Sequence, residues 1–389
     1  MNVPLSRLYN FLYQLSNNSK ICFYRFWPHG SKRIEDLTDL LDHYSIVMPG
    51  HATFMICHDQ EPLHWNLYSS NPGCQVNLRA VLSLSGHAYN YVLLLHSEQN
   101  SVELERYQKN RFVGVYYWSH AVIASDWFRH AKVDPLLNRS KTIKHDFLIY
   151  NRAWTGTREY RLKFVELLID NQLVPNCNIK FNPLDSDTHY KNHVFENTDL
   201  TISNFKIEDM LELNTVGPDA SADYNSVDYS NTAIEVVLET LFDDDRWHLT
   251  EKTLRPIACG QPFILAATAG SLGYLQRYGF KTFSGLIDET YDTITNPVER
   301  LTAIINEMSR ISKLTADQKQ LLYNKLNKIA KFNQQHFFSD AFSNQVLDEY
   351  KFNLEQGIAV ISNFHAKLHN NQTQQRSSRI LHCGRVQDI

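Results

Sequence analysis

The stretch His248-Leu-Thr-Glu-Lys-Thr-Leu-Arg-Pro-Ile-Ala-Cys-Gly-Gln-Pro-Phe-Ile-Leu-Ala266 decides the fold class. Thr250 carries the side chain of a helix N-cap, so a helix is expected to open at Glu251. Gly260 is the residue type that ends a helix in the left-handed conformation, and Pro262 to Ala266 is a short apolar run without alternation. A capped helix, a glycine stop and a buried strand in close succession form the pattern of an α/β chain with a parallel sheet.

Working outward, Ala52 to Cys57, Asn90 to Leu95 and Ala121 to Ala124 read as buried strands, being short, unalternated and ended by polar residues. Phe147 to Tyr150 reads as another. Arg158 to Ile169 is amphipathic, with Leu162, Val165 and Leu168 on one face, and Ile234 to Leu241 reads as a short helix. Asn296-Pro-Val-Glu supplies a cap, a proline at the first helical position and a glutamate at N3 to a helix striped by Leu301, Ile304, Ile305, Met308 and Ile311. Thr315-Ala-Asp-Gln is a capping box for the next helix, through Leu321, Leu322, Leu326 and Ile329. After Phe364 the composition turns to Asn, Gln, Ser and Arg, which reads as a loose tail.

The chain has 389 residues, room for two or three domains at about 150 residues each. It is 43% hydrophobic and 21% charged, an ordinary globular balance. Apolar runs such as Tyr91 to Leu95 are far shorter than the roughly 20 residues of a membrane helix, so no membrane span is expected. The N-terminus lacks a basic stretch leading into an apolar segment, which gives a cytoplasmic expectation. Six scattered cysteines without a Cys-x-x-Cys pair point to reduced thiols rather than a zinc site, and no metal is expected. The net charge of −4 excludes a polycation that binds nucleic acid by charge alone.

Glu251 and Lys252 stand side by side in the first turn of the expected helix, where backbone N–H groups and the dipole favour a phosphate. There a lysine can hold a diphosphate and a carboxylate can accept ribose hydroxyls. The competing reading is a surface pair that merely complements a helix. Asp243-Asp-Asp reads as a solvated acidic loop, and Gly270-Ser-Leu-Gly as a turn able to approach a ligand.

The segment resembles the sugar-donor motif of the alpha-1,3-fucosyltransferase-like glycosyltransferases, in which Glu-Asn-Ser/Thr precedes Tyr-x-Thr-Glu-Lys. Here Glu239-Thr240 stands for the first element and Thr250-Glu251-Lys252 for the second, with the asparagine missing and His248 in place of the tyrosine. Cys57-His-Asp-Gln-Glu-Pro-Leu, Leu95-His-Ser-Glu-Gln-Asn-Ser, Ser125-Asp-Trp-Phe-Arg-His-Ala, Tyr150-Asn-Arg-Ala-Trp-Thr-Gly-Thr-Arg-Glu-Tyr-Arg and Gly279-Phe-Lys-Thr-Phe resemble recurring blocks of a phage and bacterial glycosyltransferase group. The resemblance implies a GT-B fold, two Rossmann-like α/β domains facing a central cleft, with C-terminal helices. The implied layout is an acceptor domain over 1–145, a sugar-donor domain over 146–295, a helical extension over 296–365 and a flexible tail over 366–389.

It also implies that Lys252 binds phosphate and Glu251 ribose, with Thr250 and Glu239 in the same motif. An arginine is implied against the diphosphate, shortly after the Asn151 that ends a strand, and Arg158 and Arg161 are both eligible, with Arg152 close by. An inverting transferase needs a carboxylate to take the acceptor's proton, and carboxyl ends of parallel strands line the ligand crevice. That selects Asp59 and Glu61 just past one strand, with Glu98 past the next as the rival.

The expected function is transfer from a nucleotide sugar, UDP- or GDP-linked, with no other cofactor. The favoured acceptor is a hydroxymethylated base in phage DNA, made in the host cytoplasm and taking arabinose from UDP-arabinose as one candidate. A polysaccharide or lipid-linked oligosaccharide is the alternative, and a non-catalytic nucleotide-sugar- or DNA-binding protein the second. A DNA acceptor needs a positive groove, for which Lys109, Arg111, Arg139, Lys141, Lys144, Lys319, Lys325, Lys328 and Lys331 are the candidates.

Overall fold

The structure is a computed structural model that describes residues 21–25, 53–57, 61–66, 91–139, 141–203 and 221–383. It is a mixed α/β fold with parallel sheets. In chain order come β1 (Ile21–Arg25), β2 (Thr53–Cys57), β3 (Val92–His96), α1 (Val102–Lys109), β4 (Phe112–Tyr116) and α2 (Ser119–Trp127). Then follow β5 (His145–Asn151), α3 (Tyr160–Asp170), β6 (Cys177–Phe181), the minor hairpin of β7 (Leu184–Asp185) and β8 (Thr188–His189), α4 (Ser226–Asn231) and β9 (Thr232–Leu238). The chain closes with α5 (Glu251–Cys259), β10 (Phe263–Ala266), α6 (Ser271–Arg277), α7 (Pro297–Ser312), α8 (Ala316–Phe337) and α9 (Asp340–Cys383).

Two compact units result. The first contains β1 to β4, residues Glu103–Tyr117 and the chain from Leu347; the second contains Ser97–Val102 and Trp118–Val346. The boundary near Trp118 differs from the expected one at 145/146, so α2 belongs with the second sheet, as do α7 and α8.

In the first unit the strands run parallel in the order β1-β2-β3-β4. All five residues of β3 are buried, which is why its sequence does not alternate. On α1, acidic Glu103 and Glu105 open the helix and Arg106 and Lys109 close it, matching the dipole. Trp65 is bound to the helix through its N–H to Glu103 Oε2 at 2.7 Å and packs edge-on against Tyr107. Gly357 of α9 brings that helix close to the sheet, because a Cβ there would meet Leu93 Cδ2 at 2.8 Å and Val115 Cγ2 at 3.2 Å. Asn353 Nδ2 also donates to Tyr116 O at 2.9 Å.

In the second unit the order is β10-β9-β5-β6, all parallel. In chain order from β5 this is 2-1-3-4, so the chain switches direction across the sheet between β5 and β9. Such a switch opens a crevice at the carboxyl ends of the two strands. Every residue of β9 is buried. The segment Ile234 to Leu241, expected as a helix, is therefore mostly strand: its β-branched run suits a central strand buried on both faces. The opposite error occurs at Ala121 to Ala124, which lies inside α2; a four-residue apolar run has no period that separates strand from helix. The strand of that region is β4, Phe112–Tyr116.

Helix α5 is buried nearly all round, including Arg255, whose Nη2 meets Glu235 Oε1 at 2.7 Å and whose Nε donates to Tyr229 Oη at 3.0 Å. The helix ends at Gly260 with φ +65°, as the sequence pattern expects. Asn296 caps α7, and Thr315 with Gln318 forms the full capping box of α8. The expected tail over 366–389 is helical as far as Cys383. Gln and Arg are good helix formers, so a polar composition does not by itself mark an absent helix.

Candidate functional site

The switch point lies between the carboxyl ends of the neighbouring parallel strands β5 and β9. Past β5, the turn Gly156–Arg158 is held by Asp185, whose Oδ2 accepts from Trp154 N at 2.7 Å, Thr155 N at 2.8 Å and Thr155 Oγ1 at 2.8 Å. Burial raises the Asp185 carboxyl, but these bonds and the nearby Arg158 charge outweigh it and hold it lowered. Arg158 and Arg152 are half-buried on this loop.

Arg161 behaves differently. It is 3% exposed, and its guanidinium donates to Ala153 O at 2.5 Å, Leu238 O at 2.7 Å and Glu239 O at 2.9 Å. Those carbonyls lie at or just past the ends of β5 and β9, so Arg161 is spent on backbone. Asn151 Nδ2 donates to Arg161 O at 3.1 Å, which ties the strand end to α3. Of the two arginines the resemblance leaves eligible, Arg158 is the one on the loop.

Past β9 comes Glu239, fully buried. Its Oε1 accepts from Thr250 N at 2.9 Å, Thr253 N at 3.2 Å and Thr253 Oγ1 at 2.5 Å. Its Oε2 accepts from Thr240 N at 3.1 Å and Thr250 Oγ1 at 2.8 Å. Glu239 therefore occupies the positive end of α5 itself. Of the backbone N–H groups expected to face a phosphate, that of Thr253 goes to this internal carboxylate and that of Lys252 to Thr250 Oγ1. Thr250 is the N-cap, as expected, its Oγ1 accepting from Lys252 N at 3.3 Å.

Lys252 and Glu251 remain at the head of the helix. Lys252 Nζ lies 3.3 Å from Thr240 Oγ1, 3.1 Å from Thr250 Oγ1 and 3.0 Å from Glu251 Oε1, with 23% of the side chain exposed. Glu251 is buried, with Oε2 at 3.2 Å from His120 Nδ1. Burial alone raises its carboxyl, but the Lys252 charge and His120 outweigh that and hold it well below the usual carboxylate range. Glu251 is thus an anion at any ordinary pH, able to accept hydroxyl donors.

Around this pair stand residues that sequence reasoning passed over. His120 lies on α2, the segment read as a strand, and its ring meets His248 edge-on at 5.2 Å. Ser97 Oγ is 3.2 Å from His248 Nδ1, and Trp118 Nε1 donates to Leu249 O at 2.8 Å. Only His248 carried a signal, as the residue standing where the motif has tyrosine.

The proton-acceptor candidates fare unevenly. Asp59 lies outside the described residues. Glu61 is half-buried in the first unit, four positions beyond the end of β2. Glu98 is 2% exposed and its carboxylate accepts from Ser101 Oγ and from Arg246 Nη1 at 3.2 Å. Gln99 and Trp247 pair their backbones alongside, at 2.9 and 3.1 Å. These contacts anchor the segment Ser97–Val102 in the second unit. In the acidic loop, Asp243 accepts from Asn197 Nδ2 at 2.6 Å and Asp244 binds Arg246 at 2.7 Å, which ties down a loop expected to be merely solvated. Among the described residues no group of His, Cys, Asp and Glu is arranged to hold a metal ion.

Four of the candidate basic residues lie toward strand starts. Lys141 Nζ is 3.4 Å from Thr232 O at the start of β9, and Lys319 Nζ is 2.6 Å from Asp146 near the start of β5. Lys109 and Arg111 precede β4. No family model matches the chain, and no curated protein matches it.

Proposed function

We propose that the chain is a nucleotide-sugar-dependent glycosyltransferase of inverting type and GT-B architecture, whose second unit binds the sugar donor. The observation that carries this is that, at the switch point of a 2-1-3-4 sheet, β9 leads on to a Thr-Glu-Lys helix start while the neighbouring β5 leads on to an arginine-bearing loop. Glu251, ionised and gripped on both oxygens, accepts ribose hydroxyls. Lys252 and Arg158 hold the diphosphate and neutralise the charge that develops on it as it departs. Glu239, Thr250 and Arg161 shape the crevice from behind. Asp59 or Glu61 takes the proton of the acceptor hydroxyl as it attacks the anomeric carbon.

The acceptor proposed for first testing is hydroxymethylated DNA, on the resemblance alone, since the lysines near β4, β5 and β9 lie toward strand starts. A polysaccharide or lipid-linked oligosaccharide is the alternative. The test is calorimetry with UDP and GDP, followed by transfer of labelled sugar to hydroxymethylated DNA, unmodified DNA and glycans. Lys252→Ala should weaken nucleoside diphosphate binding by about 1.5 to 3 kcal/mol. Unchanged affinity removes Lys252 from the site, binding without transfer to any acceptor leaves a non-catalytic binding protein, and no binding at all ends the proposal.

A further inference from the structure

Beneath the head of α5, three titratable side chains are packed together out of water: His120 at 4% exposure, His248 at 3% and Glu251 at 6%. His120 Nδ1 lies 3.2 Å from Glu251 Oε2, and Lys252 Nζ lies 3.0 Å from Oε1. Among the described residues, His120 from α2 and the neighbouring Lys252 stand against Glu251, and the His248 ring meets His120 edge-on. His120 is held in turn, because it follows Trp118 by two residues and the Trp118 indole is tied to Leu249 O.

The terminal torsion of a glutamate is a broad, soft rotor. A carboxylate that reads two neighbouring hydroxyls needs its plane fixed, and a contact on each oxygen from opposite sides fixes it. Each oxygen keeps a second lone pair for a ligand hydroxyl. Lys252 alone cannot do this, since its ammonium sits on a flexible stem and is shared with two threonine hydroxyls. The imidazole, rigid and buried, supplies the second point.

We propose that His120 is the positioning residue that fixes the Glu251 carboxylate for a ribose diol, making the site selective for ribonucleotides over nucleotides lacking those hydroxyls. This rests on the reading of Glu251 as the ribose-binding residue. Calorimetry on the full chain compares UDP and GDP with their 2′,3′-dideoxy counterparts. The unaltered protein should prefer the ribonucleotide by roughly tenfold or more. In His120→Ala that preference should fall below about threefold while affinity for the dideoxy nucleotide stays unchanged, and His120→Asn, whose amide N–H can stand near Nδ1, should restore most of it. If His120→Ala fails to fold, His120→Phe keeps a ring against His248 without the nitrogen and makes the same comparison. A ribose preference that survives both variants, or parallel loss of affinity for both nucleotides, overturns the proposal while leaving the sugar-donor reading intact. Binding by the unaltered protein without ribose preference overturns the Glu251 role and this proposal together, and absence of any binding overturns the sugar-donor reading itself.

Discussion

Glu239 accepts five hydrogen bonds at the head of α5 and has no exposed surface, so its charge serves the helix. Glu239→Gln turns one accepting oxygen into a donor facing other donors, and should lower unfolding stability by about 2 to 4 kcal/mol, measured by urea denaturation. A drop below about 0.5 kcal/mol would show that the cap is dispensable. Asp292 presents the reverse case. Burial pushes its carboxyl up to about 7 against the pull of Leu272 and Ser271 N–H groups. Its folded value exceeds the unfolded one, so the folded state binds more protons between about pH 4 and 7. The stability it contributes is present below about pH 4 and is lost as pH rises through 7. Asp292→Asn keeps the acceptor for Leu272 N and removes the charge, so it should match the parent near pH 4 and exceed it at pH 8 by on the order of 2 kcal/mol. Equal stabilities of the two proteins at both pH values would refute the assignment.

Among the elements, α9 departs furthest from its sequence reading. The glycine at 357 lets it lie on β3 and β4, and a larger side chain has no room beside Leu93 and Val115. Helix propensity favours replacing a helical glycine by about 1 kcal/mol, whereas overpacking costs about 1 to 3 kcal/mol. For Gly357→Leu the steric cost should win, with a net loss on the order of 1 to 2 kcal/mol in urea denaturation. A gain in stability would mean that the helix does not pack there. For α5 the local signals suffice: cap, stop glycine and following strand are all where the residues Thr250, Gly260 and Phe263 indicate. For β9 they do not, because a run of apolar residues is compatible with helix or strand until its neighbours β5 and β10 claim its backbone.

At the scale of the whole molecule, the chain from Leu347 belongs with the first sheet although it is last in sequence. Removing residues 347–389 should uncover Leu93 and Val115, leave a large apolar surface and produce aggregation or loss of cooperative unfolding, read by light scattering and thermal denaturation. A monomeric, cooperatively unfolding truncation would contradict this packing. The sequence by itself determined the α/β class, the bounds and cap of α5, the starts and caps of α7 and α8, and the pairing of Glu251 with Lys252, because capping, glycine stops and helical periods are short-range physics carried by neighbouring residues. Only the tertiary structure decided that Glu239 fills the anion site of α5, that Arg161 is spent on carbonyls while Arg158 stays on the loop, that His120 grips Glu251, and that Lys141 and Lys319 lie toward strand starts. Those outcomes depend on residues up to 173 positions apart being brought within hydrogen-bond distance, as Asp146 and Lys319 are, and such partners leave no local mark on the sequence.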